Sequence, residues 1–189
     1  LFRSYVKGLE SQNICSTLKH FPGQGSSSGD THQGSVDIDS SISKLRQIDF
    51  VPFVNGMDAG ADFVMISHIS VSRVTETSEP ASLSNLIMTT ILREELNYSG
   101  LIITDAFDMA SITDKYSAGD AAVKSFEAGA DIILMPEDLP GAFDAVLKRV
   151  QSGKITEKRL NDTVQRILKL KFQKGIMTLE DTAQKKEAE

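Results

Sequence analysis

Cysteine is nearly absent. Cys15 is the only one among 189 residues, so no disulfide can form within the chain. As a small apolar group beside the first apolar run, it is expected to lie buried in the first strand rather than to react. Long apolar runs are missing too: none approaches the roughly 20 residues that a membrane-crossing helix needs. Positive charge is in deficit, with 20 Lys and Arg against 26 Asp and Glu and a formal net charge of −6. No basic cluster is interleaved with aromatics, which excludes nucleic acid as a partner. Histidine is scarce, at three residues. They lack the close spacing of zinc ligands and no cysteine joins them, so neither a metal nor another cofactor is expected.

What remains has the proportions of a soluble globular domain, 40% hydrophobic and 24% charged, in a chain long enough for one core. Four short, near-continuous apolar runs stand out: Ile14 to His20, Phe63 to His68, Leu101 to Thr104 and Ile132 to Met135. Runs of this kind suit parallel strands buried on both faces. Helical spacing opens the chain (Phe2, Val6, Leu9) and recurs over 41–59, 82–96, 117–128, 139–151 and 156–173, with Pro52 as a candidate break. Ser82 or Ser84 can cap the helix over 82–96, and Asn97 stands where a left-handed residue would end it. Because the helical pattern is already under way at Leu1, the chain is expected to be a fragment. Residues 178–189 are charged and low in apolar residues, so they are expected to form a tail or linker beyond a domain over 1–177.

Asp58-Ala59-Gly60-Ala61-Asp62-Phe63-Val64 is echoed by Glu127-Ala128-Gly129-Ala130-Asp131-Ile132-Ile133. In both, a helix ends at glycine and a strand begins two residues later. Repeated strand–helix units with polar groups at the strand C-termini suggest half of a (β/α)8 barrel. A flavodoxin-like sheet shares the local signature and is the rival architecture.

The densest chemistry lies over Lys19-His20-Phe21-Pro22-Gly23-Gln24-Gly25-Ser26-Ser27-Ser28-Gly29-Asp30-Thr31-His32. It reads as a strand end followed by a polar loop, the place where α/β folds keep their active sites. Asp30 and His32 are the right types for a proton-transfer pair, the carboxylate orienting the imidazole and raising its basicity. Glycines and serines allow that loop to carry His32 toward a substrate and away again. Gly23 to Gly29 is not a dinucleotide loop, since no apolar helix follows it directly. A lone histidine usually has a structural role, but His20, His32 and His68 all fall at or just after strand ends. Asp105, directly after the apolar run from Leu101, is either a helix cap or a catalytic carboxylate. Asp108, a turn further on, is the better candidate for the cap.

These segments resemble the catalytic domain of family 3 glycoside hydrolases, in its β-N-acetylhexosaminidase branch. The resemblance rests on Lys19-His20-Phe21-Pro22-Gly23-x-Gly25 followed by Asp30-Thr31-His32. It continues through Met65-Ile66-Ser67-His68, Leu92-Arg93-Glu94-Glu95-Leu96, Gly100-Leu101-Ile102-Ile103-Thr104-Asp105-Ala106 and Ala128-Gly129-Ala130-Asp131 to Arg166-Ile167-Leu168-Lys169-Leu170-Lys171.

The resemblance implies an α/β fold, namely the C-terminal half of a (β/α)8 TIM barrel with strands five to eight and their helices. It implies a retaining glycosidase acting on terminal β-linked N-acetylglucosamine in cell-wall or chitin-derived glycans. Asp105 matches the catalytic nucleophile, and His32, oriented by Asp30, matches the branch's general acid/base. Lys19 and His20 match residues that bind the sugar hydroxyls, while His68 and Met109 would lie near the sugar. Strands one to four, with an aspartate and an arginine that hold the sugar, have no counterpart here. The expected partners are therefore the glycan and either the missing half of the barrel or a second copy of the chain. Phosphate in place of water would make the same residues a phosphorylase. A non-catalytic sugar-binding or assembly module and a flavodoxin-like signalling domain are the readings from other classes. The resemblance does not choose between a bacterial cytoplasmic and a secreted or cell-surface protein.

Overall fold

A computed structural model describes residues 2–25 and 36–178. Helix α1 (Phe2–Ser11) leads into strand β1 (Thr17–Phe21). A helical run follows, made of α2 (Ile42–Lys44), a wider π-helical stretch (Leu45–Asp49) and α3 (Phe50–Met57). Strand β2 (Phe63–Ile66) is followed by the short α4 (Ser72–Thr75), a 3-10 turn (Ala81–Leu83) and a π-helix (Leu86–Glu95). Strand β3 (Leu101–Ala106) leads to α5 (Ala110–Thr113) and α6 (Ala118–Ala128), and β4 (Ile132–Leu134) to α7 (Leu139–Gln151) and α8 (Glu157–Gln173).

All four strands are parallel and pair in consecutive order, β1-β2-β3-β4. The order contains no reversal point, which sets the flavodoxin-like alternative aside. The strands are not buried on both faces as their apolar runs suggest. Leu18, Val64, Ile66 and Ile102 belong to the main core, together with Phe53, Ile87, Met88 and Ile91 from the helices. On the opposite face Thr17 and Lys19 are exposed, and Phe63, Met65, Ile103 and Asp105 are only half-buried. Among the described residues, helices cover one side of the sheet and leave the other open.

Cys15 is half-buried and precedes β1 rather than lying in it. Pro52 breaks nothing: the widening to π-helix over Leu45–Asp49 accommodates a residue that has no N–H and crowds the preceding turn. Helix α3 lies close against β1, since a Cβ on Gly56 would come within 2.5 Å of Leu18 Cδ2. Phe21 anchors the end of β1, its ring 5.1 Å from those of both Phe50 and Phe53.

The two echoed segments behave alike. Gly60 and Gly129 have φ of +101° and +130°, a conformation open mainly to glycine, and each lets an aspartate start the next strand. Asp131 accepts from Arg93 (2.8 Å), Arg166 (2.8 Å), Thr163 (3.0 Å) and the Ile102 amide (2.9 Å). Asp62 pairs with Lys174 at 2.8 Å, and Lys174 also bonds Glu10. Helix α8 and the residue just past it thus fasten the N-terminal ends of β2 and β4 and the end of α1. Among the described residues no helix is long and apolar enough to cross a membrane.

Candidate active site

Asp105 lies next to the C-terminal end of β3 on the open face, its side chain 16% exposed. Its Oδ1 accepts from the following amide, Ala106 N, at 2.9 Å. Its Oδ2 stands 3.6 Å from Nε2 of His20 at the end of β1. The carboxylate does not cap a helix, because α5 begins only at Ala110. Nor does Asp108 cap one: it is exposed, and the N-cap position of α5 is Met109, which makes no side-chain cap bond.

In strand β1, Lys19 and His20 are joined by a cis peptide bond, and a second follows at Phe21–Pro22. Lys19 is exposed on the same open face as Asp105. Beside them a cavity of about 400 Å³ is lined by Lys19, His20, Gly23, Asp49 and Phe53 among others. A larger hollow of about 490 Å³ lies at the other end of the strands. Its Asp62 and Arg166 are engaged in ion pairs, and Asp105 is among the lining residues of neither hollow.

His68, expected near the sugar, is 1% exposed with both ring nitrogens engaged. Nδ1 lies 2.7 Å from Ser82 Oγ and Nε2 lies 2.8 Å from the Ala106 carbonyl. The carbonyl can only accept, so Nε2 carries the proton and the Ser82 hydroxyl donates to Nδ1. Burial, opposed by the Ala106 bond and by Asp105, holds the imidazole below its ordinary pKa, which keeps the ring neutral. Ser82, a candidate helix cap in the sequence, serves this ring; Ser84 takes the cap, accepting from Ile87 N at 3.4 Å. Met109 is buried, and its amide donates to the same Ala106 carbonyl at 3.3 Å.

The structure thus brings Asp105, His20 and Lys19 to one open rim and puts His68 and Met109 behind it. Asp30 and His32 lie outside the described residues. Sequence reasoning missed one participant. The Ala106 carbonyl is a backbone atom and leaves no signature. Met135, 57% exposed and at φ +48°, follows β4 at the same end of the sheet. Among the described residues no group of three or more His, Cys, Asp or Glu is arranged to hold a metal.

Residues 1–170 match the Glycosyl hydrolase family 3 N terminal domain. The chain is 35% identical over 188 aligned positions to Beta-hexosaminidase A of Pseudoalteromonas piscicida, covering 88% of this chain and 31% of that protein. Against Beta-hexosaminidase of Stenotrophomonas maltophilia the identity is 36% over 151 positions, 77% of this chain and 44% of the relative. Its fold is similar to that of a family 3 beta-N-acetylglucosaminidase from Paenibacillus, with a TM-score of 0.88 and 34% identity, over 94% of this chain and 35% of that one. A beta-glucoside phosphorylase superposes with a TM-score of 0.85 at 29% identity, over 92% of this chain and 33% of that one. The chain spans less than half the length of each of these relatives. Joined to the parallel sheet and the carboxylate at the end of β3, the match over residues 1–170 establishes that the chain belongs to glycosyl hydrolase family 3, in its N-terminal domain.

Proposed function

We propose that this chain contributes the nucleophile side of a retaining β-N-acetylglucosaminidase. The observation that carries the reading is the Asp105 carboxylate on the open face of β3, 3.6 Å from His20, which follows exposed Lys19 in β1. A retaining glycosidase needs a carboxylate on one side of the anomeric carbon and a proton donor on the other. In the first step Asp105 forms a bond to C1 as the glycosidic C1–O bond breaks, and His32 gives its proton to the departing oxygen. In the second, His32 takes a proton from water, the water oxygen bonds C1, and the ester to Asp105 is released. Asp30 orients His32 throughout. Lys19 and His20 donate hydrogen bonds to sugar hydroxyls, and His20 also limits where the carboxylate can swing.

The four strands act as strands five to eight of a (β/α)8 barrel, a reading supported by their consecutive parallel order and by the sheet's open face. The other four strands, or a second copy, would cover that face and the free edges of β1 and β4. The 189-residue chain by itself is therefore inactive or nearly so.

The test is hydrolysis of a chromogenic N-acetylglucosaminide by the full-length protein. Asp105→Ala is expected to lower turnover by several orders of magnitude and His32→Ala to lower it strongly. Unchanged turnover in either variant would sink the assignment. The similarity to a beta-glucoside phosphorylase motivates running the assay with and without inorganic phosphate. A sugar 1-phosphate product would make the acceptor phosphate rather than water. Calorimetric binding of N-acetylglucosamine with no turnover under any condition would favour a sugar-binding module.

A further inference from the structure

We infer that His68 is a positioning residue that aims the Asp105 carboxylate by clamping the Ala106 peptide. The inference rests on reading Asp105 as the nucleophile. The Ala106 peptide is bonded on both of its sides. Its N–H donates to Asp105 Oδ1 at 2.9 Å, which fixes one carboxylate oxygen and leaves Oδ2 toward the open face. Its carbonyl accepts from His68 Nε2 at 2.8 Å and from the Met109 amide at 3.3 Å. The imidazole is itself held, since Ser82 donates to Nδ1 at 2.7 Å and the Phe107 ring lies 5.5 Å away.

His68 sits two residues past the end of β2, on the strand that β3 pairs with, so the bond ties the ends of neighbouring strands together. A neutral ring suits this task. With one donor and one acceptor it satisfies both partners, whereas an imidazolium would present two donors and leave the Ser82 proton to find another acceptor. Burial makes the geometry rigid and keeps the sugar away from the ring. A carboxylate poised for attack tolerates little displacement; a misplacement of about 1 Å can cost about a hundredfold in rate.

The experiment uses the full-length protein and three variants, with Asp105→Ala as control. His68→Ala is expected to lower kcat about 10- to 100-fold with KM changed less than about twofold. In the same variant, hydrogen exchange at the Ala106 and Met109 amides is expected to accelerate. His68→Gln, whose amide nitrogen reaches about where Nε2 lies, is expected to recover most of the lost kcat. Should His68→Ala fold poorly, Ser82→Ala keeps the ring but frees its tautomer, and a fall in kcat at constant KM is expected there as well. A raised KM with unchanged kcat would make His68 a sugar contact and overturn the proposal. So would unchanged exchange at Ala106, or equal kcat losses for His68→Ala and His68→Gln. If Asp105→Ala keeps full turnover, the nucleophile reading fails by itself; the exchange rates then still decide whether His68 holds the peptide.

Discussion

At the scale of single residues, three aspartates beside apolar strands meet different fates. Asp62 and Asp131 stand where strands begin and are consumed by Lys174, Arg93 and Arg166. Asp105 stands where a strand ends, and its described side-chain neighbours are the Ala106 amide and His20. A carboxylate held by Arg93 and Arg166, with Arg159 3.9 Å away, is a fastener, and one left at an open rim is available for chemistry. Asp131 has a fully buried side chain, so Asp131→Ala would strand cations that are themselves largely buried. The expected loss of stability is about 3–5 kcal/mol, to be read from chemical denaturation. His68 gives a second prediction. Burial lowers its pKa in the folded state below the ordinary 6.5, so the unfolded chain binds more protons as pH falls through that value. Stability from this group is complete above about pH 6.5 and is lost in more acidic solution. The melting temperature should fall between pH 7.5 and 5.5, and His68→Gln should flatten that part of the curve. An identical pH dependence in both proteins would contradict it.

Much of this was legible in the residues. Asp105 and His20 announce themselves as polar groups closing apolar runs. The role of His68 does not, because its acceptor is the Ala106 carbonyl and its donor, Ser82, reads as a helix cap. Both partners are set by how β2 and β3 lie side by side, a fact that no local spacing encodes.

At the scale of elements, periodicity placed α6, α7 and α8 within a residue or so, and each has a side-chain cap. Ser117, Asp138 and Thr156 accept from Asp120, Gly141 and Arg159 amides respectively. The π-helical stretches at Leu45–Asp49 and Leu86–Glu95 were not legible. The buried residues of the longer stretch, Ile87, Met88, Ile91 and Leu92, also fit α-helical spacing, so the apolar pattern does not report the change. The strands were misjudged in another way. Apolar runs suggested burial on both faces, while the described residues leave Phe63, Met65 and Ile103 only half-covered. That pattern suits a sheet whose second face awaits more protein. Helix α3 offers a test of element packing. Gly56→Ala would place a methyl 2.5 Å from Leu18 and push α3 off β1, at an expected cost of about 1–3 kcal/mol in denaturant unfolding. No change in midpoint would mean that the two elements can part without penalty.

At the scale of the molecule, β1 and β4 each pair on one side, and among the described residues no strand pairs with their other edges. Apolar side chains are also exposed, among them Phe2 and Tyr5 on α1, Ile48 in the π-helical stretch, and Leu139, Phe143 and Leu147 on α7. Surfaces of this kind are usually covered by further chain or by another molecule. The 189-residue chain alone should therefore elute from a sizing column as a dimer or larger species, or bind the four further strand–helix units proposed above when they are supplied. A stable, monodisperse monomer of 20.6 kDa would argue against that expectation.

The ion pairs of α8 and of Lys174 grip the strands where they start and nowhere near Asp105. The protein is laced by buried ion pairs along its base, whereas at its crown the links include the His68–Ala106 hydrogen bond between β2 and β3 and the 3.6 Å approach of His20 to Asp105. Thermal opening should thus resemble a fan spreading from its rivet: the gap between His20 and Asp105 widens long before the strand origins part. Damage to the rivet, as in a shortened α8, would be felt at the far side as a blurred distance between those two groups.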